Sequence, residues 1–193
     1  MSQQPKFMIV GEPNSAGKST AAARLLPSGM TYVNADEVAK GLTNYPSQAA
    51  DLEAGRIVLE TMDSLADRRE DFGVETTLAG VSLAARASRL RKSGYLFRLI
   101  YLWTPAPEFS ILRVEARIRS GGHHIPEDVI RRRHAAGIVN FFSRYRPIAD
   151  TWEVYLSTKP MLVQVAEGSM EQVQIILEPE TWAHIRRGGS DGT

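Results

Sequence analysis

The chain has 193 residues, of which 43% are hydrophobic and 23% charged, and this balance predicts a globular domain with a core of its own. It has no cysteine, which excludes disulfides and thiolate metal sites and favours a reducing, cytoplasmic location. A net charge of +1 excludes a generally basic nucleic-acid binder, and no apolar run is long enough for a signal peptide or a membrane span.

Strand-like and helical patterns alternate along the chain. Short apolar runs predict strands at 6–10, 31–35, 72–77, 95–103, 153–157, 161–168 and 173–177. Helical patterns predict helices at 18–26, 47–71 and 82–94, one on each side of Gly121-Gly122, and a short one near 179–187. This alternation predicts an α/β fold, with a mainly parallel sheet and helices on both faces. We expect one domain over residues 1–187 and a disordered, glycine-rich tail over 188–193.

The stretch "GEPNSAGKST" has the pattern G-x-x-x-x-G-K-[ST] between a predicted strand and a predicted helix. Such a loop wraps a phosphate with backbone N–H groups, and the helix N-terminus adds partial positive charge. Lys18 then reaches the β- and γ-phosphates, Ser19 is a Mg²⁺ ligand and Thr20 hydrogen-bonds the α-phosphate. The predicted nucleotide-binding residues are Gly11, Asn14, Ser15, Ala16, Gly17, Lys18, Ser19 and Thr20. The alternative is a glycine turn that only links strand to helix.

The stretch "NADEV" places Asn34, Asp36 and Glu37 just past the second predicted strand. Ligands of doubly wound sheets bind beyond the carboxyl ends of the strands, so Asp36 is positioned to accept a proton from a substrate hydroxyl. The alternative is structural, because Asp36 or Asn34 could instead cap the helix that follows. The sequence leaves both roles open.

The stretch "VETT" places Glu75 at the end of the third predicted strand. A carboxylate in an apolar strand is costly to bury unless it is paired or lies near a metal, which favours a partner of Mg²⁺ or of the substrate. A salt bridge to a nearby arginine is the alternative. No apolar run ends in Asp as a Walker B strand does, since "YLFRLIYLW" is followed by "TPAPE", and this argues against a motor ATPase.

Positive charge is concentrated in "RIRSGGHHIPEDVIRRR", from Arg117 to Arg133, around a double glycine. Phosphoryl transfer needs positive charge on the moving group and exclusion of water. An arginine-bearing arm that hinges at Gly121-Gly122 would supply both, and His123 could donate to a phosphate or ribose. A solvated basic helix and a zinc site at His123-His124 are the alternatives.

The segments "GEPNSAGKST", "NADEVA" and "FGVETTLAG", followed by the arginine segment and by Asn140-Phe141, together resemble the zeta-toxin family of P-loop kinases. The resemblance covers nearly the whole chain and is strongest to small single-domain members labelled as predicted ATPases. It implies a P-loop NTPase fold with an arginine-rich lid. It also implies phosphorylation of a nucleotide sugar, UDP-N-acetylglucosamine, on a hydroxyl, with ATP or GTP as donor. Many members are the toxin of a toxin–antitoxin pair, and an antitoxin here would be a separate protein.

Carried over residue by residue, the resemblance implies that Lys18 and Ser19 bind nucleotide and metal, with Asp36 as the base. Glu75 becomes a substrate or Mg²⁺ partner. Arg117 and Arg133 become clamps on the transferring phosphate. Because the segment is rich in arginine, its alignment with the family motif is ambiguous, and Arg119, Arg131 and Arg132 stay open for the clamp roles.

The sequence is compatible with three functional hypotheses. The first is a P-loop kinase with a small-molecule hydroxyl acceptor, with nucleic acid not expected as a partner. The second is a polynucleotide or nucleoside kinase, whose acceptor would lie in a basic groove. The third is a nucleotide-binding regulatory module without transfer activity, against which Lys18, Asp36 and Glu75 speak because a binding module needs no base.

Overall fold

A computed structural model describes residues 4–13, 25–45, 47–119, 124–158 and 161–190. Seven strands form one sheet: β1 Lys6–Gly11, β2 Thr31–Val33, β3 Phe72–Thr76, β4 Leu96–Trp103, β5 Thr151–Thr158, β6 Met161–Ser169 and β7 Gln172–Ile176. Their order is β2-β3-β1-β4-β5-β6-β7. Neighbours from β2 to β5 are parallel, and β6 and β7 add antiparallel. The expected α/β fold with a mainly parallel sheet is confirmed.

The described helices are α1 Ala35–Lys40, α2 Gln48–Asp67, α3 Ser82–Lys92, α4 Glu108–Arg119, α5 Glu127–Asn140 and α6 Pro179–Ser190. A π-helical turn at Phe141–Tyr145 and a 3₁₀ turn at Arg146–Ile148 continue α5. The predicted strands each fall within two residues of the observed bounds. Most of the predicted helix at 18–26 lies outside the described residues, and the Gly121-Gly122 hinge lies wholly outside them.

Apolar side chains alternate between the two faces of the sheet, as a sheet covered on both sides requires. One face carries a large aromatic core, in which Trp152 stacks on Trp182 of α6 with ring centroids 5.6 Å apart. The other face carries a smaller cluster of Met8, Val10, Ile100 and Leu102. Leu25 and Leu26, which follow the P-loop segment in the chain, pack on that smaller cluster. The sheet therefore separates Leu25 and Leu26 from the main core.

The last helix is longer than the sequence predicts. It continues through Gly188 and Gly189 to Ser190. A Cβ at Gly189 would overlap the Phe142 ring, and one at Gly188 would lie 2.9 Å from Ile138 Cδ1. The two glycines therefore let α6 approach α5 closely. Residues 188–190 are thus helical and packed in this structure, and the disordered tail over 188–193 stays a prediction.

Candidate active site

A cavity of about 660 Å³ opens beyond the carboxyl ends of β2 and β3, between α1 and the N-terminal part of α5. Acidic side chains line one side of it, and we call Asp36 and Glu75 the acid wall. Basic side chains line the other side, and we call Arg117, Arg132 and Arg133 the arginine wall. Residues more than 90 positions apart in the sequence thus meet around one space, at the sheet edge where the fold class predicts a ligand.

Asn34, not Asp36, caps α1. The Asn34 Oδ1 accepts a hydrogen bond from the Asp36 backbone N–H at 2.8 Å, as an N-cap side chain does. Asp36 follows in the first turn, where the positive end of the helix dipole favours a carboxylate. Its side chain is 51% exposed. The capping alternative for Asp36 is therefore wrong, and its carboxylate remains available to the cavity.

Asp36 meets the arginine wall directly. The Arg117 Nη1 lies 3.3 Å from Asp36 Oδ2, and the Arg117 side chain is 35% exposed. A partly exposed ion pair of this kind stabilises a protein by only about 0.2–1 kcal/mol. A polyphosphate could therefore displace Asp36 from Arg117 at little energetic cost.

Glu75 is held much more firmly than Asp36. It is only 9% exposed, and its Oε2 accepts hydrogen bonds from Tyr32 Oη and Asn34 Nδ2, both at 3.1 Å. Burial, and then the charge and hydrogen bond of Glu75, raise the pKa of Tyr32 far above its ordinary value. The phenol therefore stays protonated and keeps donating to Glu75.

Glu75 lies on the face of the sheet that carries the smaller apolar cluster. Gly73, two residues earlier on β3, packs against Leu26, since a Cβ at Gly73 would lie 3.2 Å from Leu26 Cδ2. Side chains two apart on a strand share a face, so Glu75 lies on the face that Leu26 covers. The role of Glu75 beside the phosphates stays a prediction.

The rotational position of each arginine around α5 determines whether it lines the cavity. Val129, Arg132 and Arg133 line the cavity, as the spacing i, i+3, i+4 allows. Arg131 is instead ion-paired with Glu108 and Glu127, at 2.6 Å each. Burial, followed by the neighbouring Arg132, lowers the pKa of Arg133, which marks it as a partly desolvated cation. Arg119 is exposed and is not among the described residues that line the cavity.

Arg113 connects α4 to the sheet one turn before Arg117. Its Nη2 donates to the Ser157 carbonyl at the end of β5, at 2.9 Å. Burial lowers the pKa of Arg113, and the charge of Glu12 acts in the opposite direction. Side chains four apart on a helix share a face, so this anchor presents Arg117 towards the cavity.

Residues of α5 and of the π-helical turn after it hold the loop that follows β3. Asn140 Nδ2 donates to the Leu78 and Ala79 carbonyls at 2.8 and 3.2 Å, and Tyr145 Oη donates to the Gly80 carbonyl at 2.8 Å. A Cβ at Gly137 would lie 2.7 Å from the Thr77 carbonyl oxygen. These contacts hold the loop that follows Glu75 in place.

The start of the P-loop is described through residue 13. A Cβ at Gly11 would lie 2.6 Å from two Leu78 carbons, so the first glycine of the motif also permits this packing. Glu12 is fully buried, and its N–H donates to the Thr76 carbonyl at 2.9 Å. The remaining predicted contacts lie outside the described residues and stay predictions: Asn14, Ser15, Ala16, Gly17, Lys18, Ser19, Thr20 and His123.

Sequence reasoning missed Tyr32, which donates to Glu75, and the complete burial of Glu12. In the sequence, Tyr32 is an ordinary strand residue and Glu12 an ordinary loop residue, and only the alternation of β2 hints at the direction of Tyr32. Among the described residues, no group of three or more His, Asp or Glu could hold a metal by itself. None of the helices in the described part of the chain is long and apolar enough to cross a membrane.

Comparison with known proteins shows the family and the fold of the chain. The family profile described as Zeta toxin matches residues 1–146. An uncharacterised protein of Haemophilus influenzae is 28% identical over 131 residues, which cover 68% of this chain and 94% of that protein.

Two solved structures share the fold. The AvrRxo1-ORF1:-ORF2 structure with ATP aligns at a TM-score of 0.75 and 18% identity, covering 94% of this chain. This chain spans only 63% of that one. The PezAT chromosomal toxin–antitoxin system of Streptococcus pneumoniae aligns at 0.68 and 17%, covering 98% of this chain and 87% of that one.

A P-loop motif at the end of β1, an acid at the end of the adjacent β3 and the profile match together define a phosphotransferase of the P-loop kinase class. Within that class, the chain belongs to the zeta-toxin family.

Proposed function

We propose that the protein transfers the γ-phosphoryl group of ATP or GTP to a hydroxyl of a small molecule bound in the cavity. The observation that carries this proposal is the meeting of Asp36, Glu75 and Arg117 around one cavity at the carboxyl ends of β2 and β3. A nucleotide sugar such as UDP-N-acetylglucosamine is the acceptor that the family suggests. A cavity of about 660 Å³ is within the range for small-molecule sites.

In the proposed reaction, the acceptor hydroxyl donates its proton to Asp36 as its oxygen attacks the γ-phosphorus. The bond from that phosphorus to the β-phosphate oxygen breaks, and the nucleoside diphosphate leaves. Arg117 and Arg133 stabilise the charge on the transferring group, and Lys18 acts from the P-loop. Arg133 is partly desolvated, so its charge acts in a less polar surrounding than water.

The donor set fits Mg²⁺ in the way kinases hold it. Mg²⁺ prefers oxygen ligands and is usually held by one or two carboxylates together with substrate phosphates and water. Glu75 would supply such a carboxylate, and Ser19 is the other predicted ligand. Bound there, the ion would neutralise charge on the phosphates.

The test is a transfer assay with the purified protein, ATP and Mg²⁺. UDP-N-acetylglucosamine, a nucleoside and a 5′-hydroxyl oligonucleotide serve as parallel acceptors, with products identified by mass spectrometry. We expect a phosphorylated sugar nucleotide, and no product with Lys18→Ala, which removes a charge acting on the transferring group. Phosphorylation of the oligonucleotide or nucleoside instead would support the second kinase hypothesis. Nucleotide binding without transfer to any acceptor would support the regulatory module.

We also propose a separate antitoxin protein as a partner. The support is family membership together with the fold shared with a chromosomal toxin–antitoxin system. Co-expression of the product of a neighbouring short reading frame should abolish the transfer activity and co-purify with the protein. Full activity in the presence of every neighbouring gene product would contradict this partner.

A further inference from the structure

Asn34 uses both ends of one amide to hold the two acids of the site. Its Oδ1 accepts from the Asp36 N–H at 2.8 Å, and its Nδ2 donates to Glu75 Oε2 at 3.1 Å. The first bond caps α1 and fixes the backbone from which Asp36 projects. The second orients the carboxylate of Glu75. A single side chain thus connects α1 to β3.

The need for such a donor follows from the burial of Glu75. A carboxylate that is 9% exposed has little water to orient it, so its direction depends on protein donors. Its Oε2 receives two, from Asn34 and Tyr32, and both come from β2 or the residue that follows it. The end of β2 therefore supplies two of the contacts that orient the Glu75 carboxylate.

Capping alone does not explain an asparagine at position 34. Ser and Asp cap helices about as well as Asn. Only an amide, however, accepts from the Asp36 N–H and donates to Glu75 at the same time. Serine has no donor with the reach of Nδ2, and an aspartate would put a like charge against Glu75.

We propose that Asn34 is a positioning residue of the phosphotransfer site, acting through Glu75 and Asp36 and not through substrate contact. This inference rests on the proposed function. Residues that orient a ligating carboxylate typically change affinity or activity by about 10–100-fold when replaced.

Three substitutions separate positioning from capping. Asn34→Ser and Asn34→Asp keep an acceptor for the cap but remove the donor to Glu75, whereas Asn34→Ala removes both. We expect Asn34→Ser to melt close to the wild type but to lose about tenfold or more in kcat, with a smaller change in the KM for ATP. Asn34→Asp should lose at least as much in kcat and should also melt lower, because it puts a like charge against Glu75. If Asn34 only caps, activity will instead follow stability, and only Asn34→Ala will be impaired.

Ser47 provides the matched control. Its Oγ caps α2 by accepting from the Ala50 N–H at 3.1 Å. Ser47→Ala should lower the melting temperature by about as much as Asn34→Ala does, with kcat unchanged, because Ser47 has no bond to either acid. Tyr32→Phe removes the other donor and should lower kcat in the same direction as Asn34→Ser.

Crystal structures of Asn34→Ser and Asn34→Asp give a readout independent of turnover. We expect the Glu75 carboxylate to leave its wild-type position while α1 keeps its cap. An unmoved Glu75, or wild-type kcat in both variants, would overturn the inference. If the wild type phosphorylates no acceptor, the proposed function fails, and the position of Glu75 alone decides whether Asn34 orients it.

Discussion

The two walls of the cavity are supported by different parts of the fold. The acid wall is built at the edge of the sheet: Glu75 is buried at the end of β3, Asp36 lies in the first turn of α1 just after β2, and Asn34 bonds to both residues. The arginine wall comes from helices α4 and α5, and Arg132 and Arg133 reach the cavity through the phase of α5. Across the cavity, Arg117 meets Asp36 in a partly exposed pair. The acids are thus prepositioned, whereas the contact that holds Arg117 to them is weak enough for a phosphate to replace.

The largest expected effect is at the acid wall. Asp36→Asn should lower kcat by roughly 10²–10⁴-fold, because it removes the proposed base. Stability should barely change, since Asn34 and not Asp36 caps α1. The measurement is kcat with thermal melting on the same samples. Glu37→Gln is the control, because Glu37 is on the same helix turn but pairs with Lys40. A large loss of stability with activity retained would contradict the assignment.

At the arginine wall, Arg117→Ala should lower kcat by up to about 10³-fold, because the charge acts on the transferring group. Nucleotide affinity should fall much less, which steady-state kinetics and calorimetry together will reveal. Arg131→Ala is the control. It also removes one positive charge, but Arg131 is ion-paired with Glu108 and Glu127, so kcat should stay unchanged. Equal effects of the two substitutions would show that only overall charge matters.

The sequence predicted the acid wall better than the arginine wall for a physical reason. Asp36 and Glu75 follow apolar runs directly, and parallel strands bring their carboxyl ends to one edge, so local pattern was enough. The choice between Arg131, Arg132 and Arg133 depends on how α5 packs, because each residue turns the side chain by a large angle around the helix. Three adjacent arginines offer no local signal for that phase.

Long-range contacts account for the other differences. The double hydrogen bonding of Asn34, the burial of Glu12 and the extension of α6 to Ser190 all depend on a partner far away in sequence. The strands needed no such partner, and each was predicted within two residues of its observed bounds. The order of the strands in the sheet could not be derived from the pattern alone.

The smallest expected effect is at Gly137, where α5 packs against the loop after β3. Gly137→Ala places a Cβ 2.7 Å from the Thr77 carbonyl oxygen and should destabilise the protein by about 1–3 kcal/mol while displacing the loop after Glu75. Gly55→Ala is the matched control, because a Cβ there meets nothing within 4 Å inside α2. It should stabilise by about 0.4–1 kcal/mol. Chemical denaturation measures both, and equal stability changes would contradict this packing.

The most direct test of the central claim is a crystal structure of Asp36→Asn with ATP, Mg²⁺ and UDP-N-acetylglucosamine, in which slow transfer should preserve the complex. We predict that the sugar occupies the cavity with a hydroxyl within hydrogen-bond distance of the side chain at position 36. We also predict that Arg117 binds the γ-phosphate and no longer contacts position 36. A sugar bound outside the cavity, or Arg117 still at position 36 with the nucleotide in place, would contradict the account.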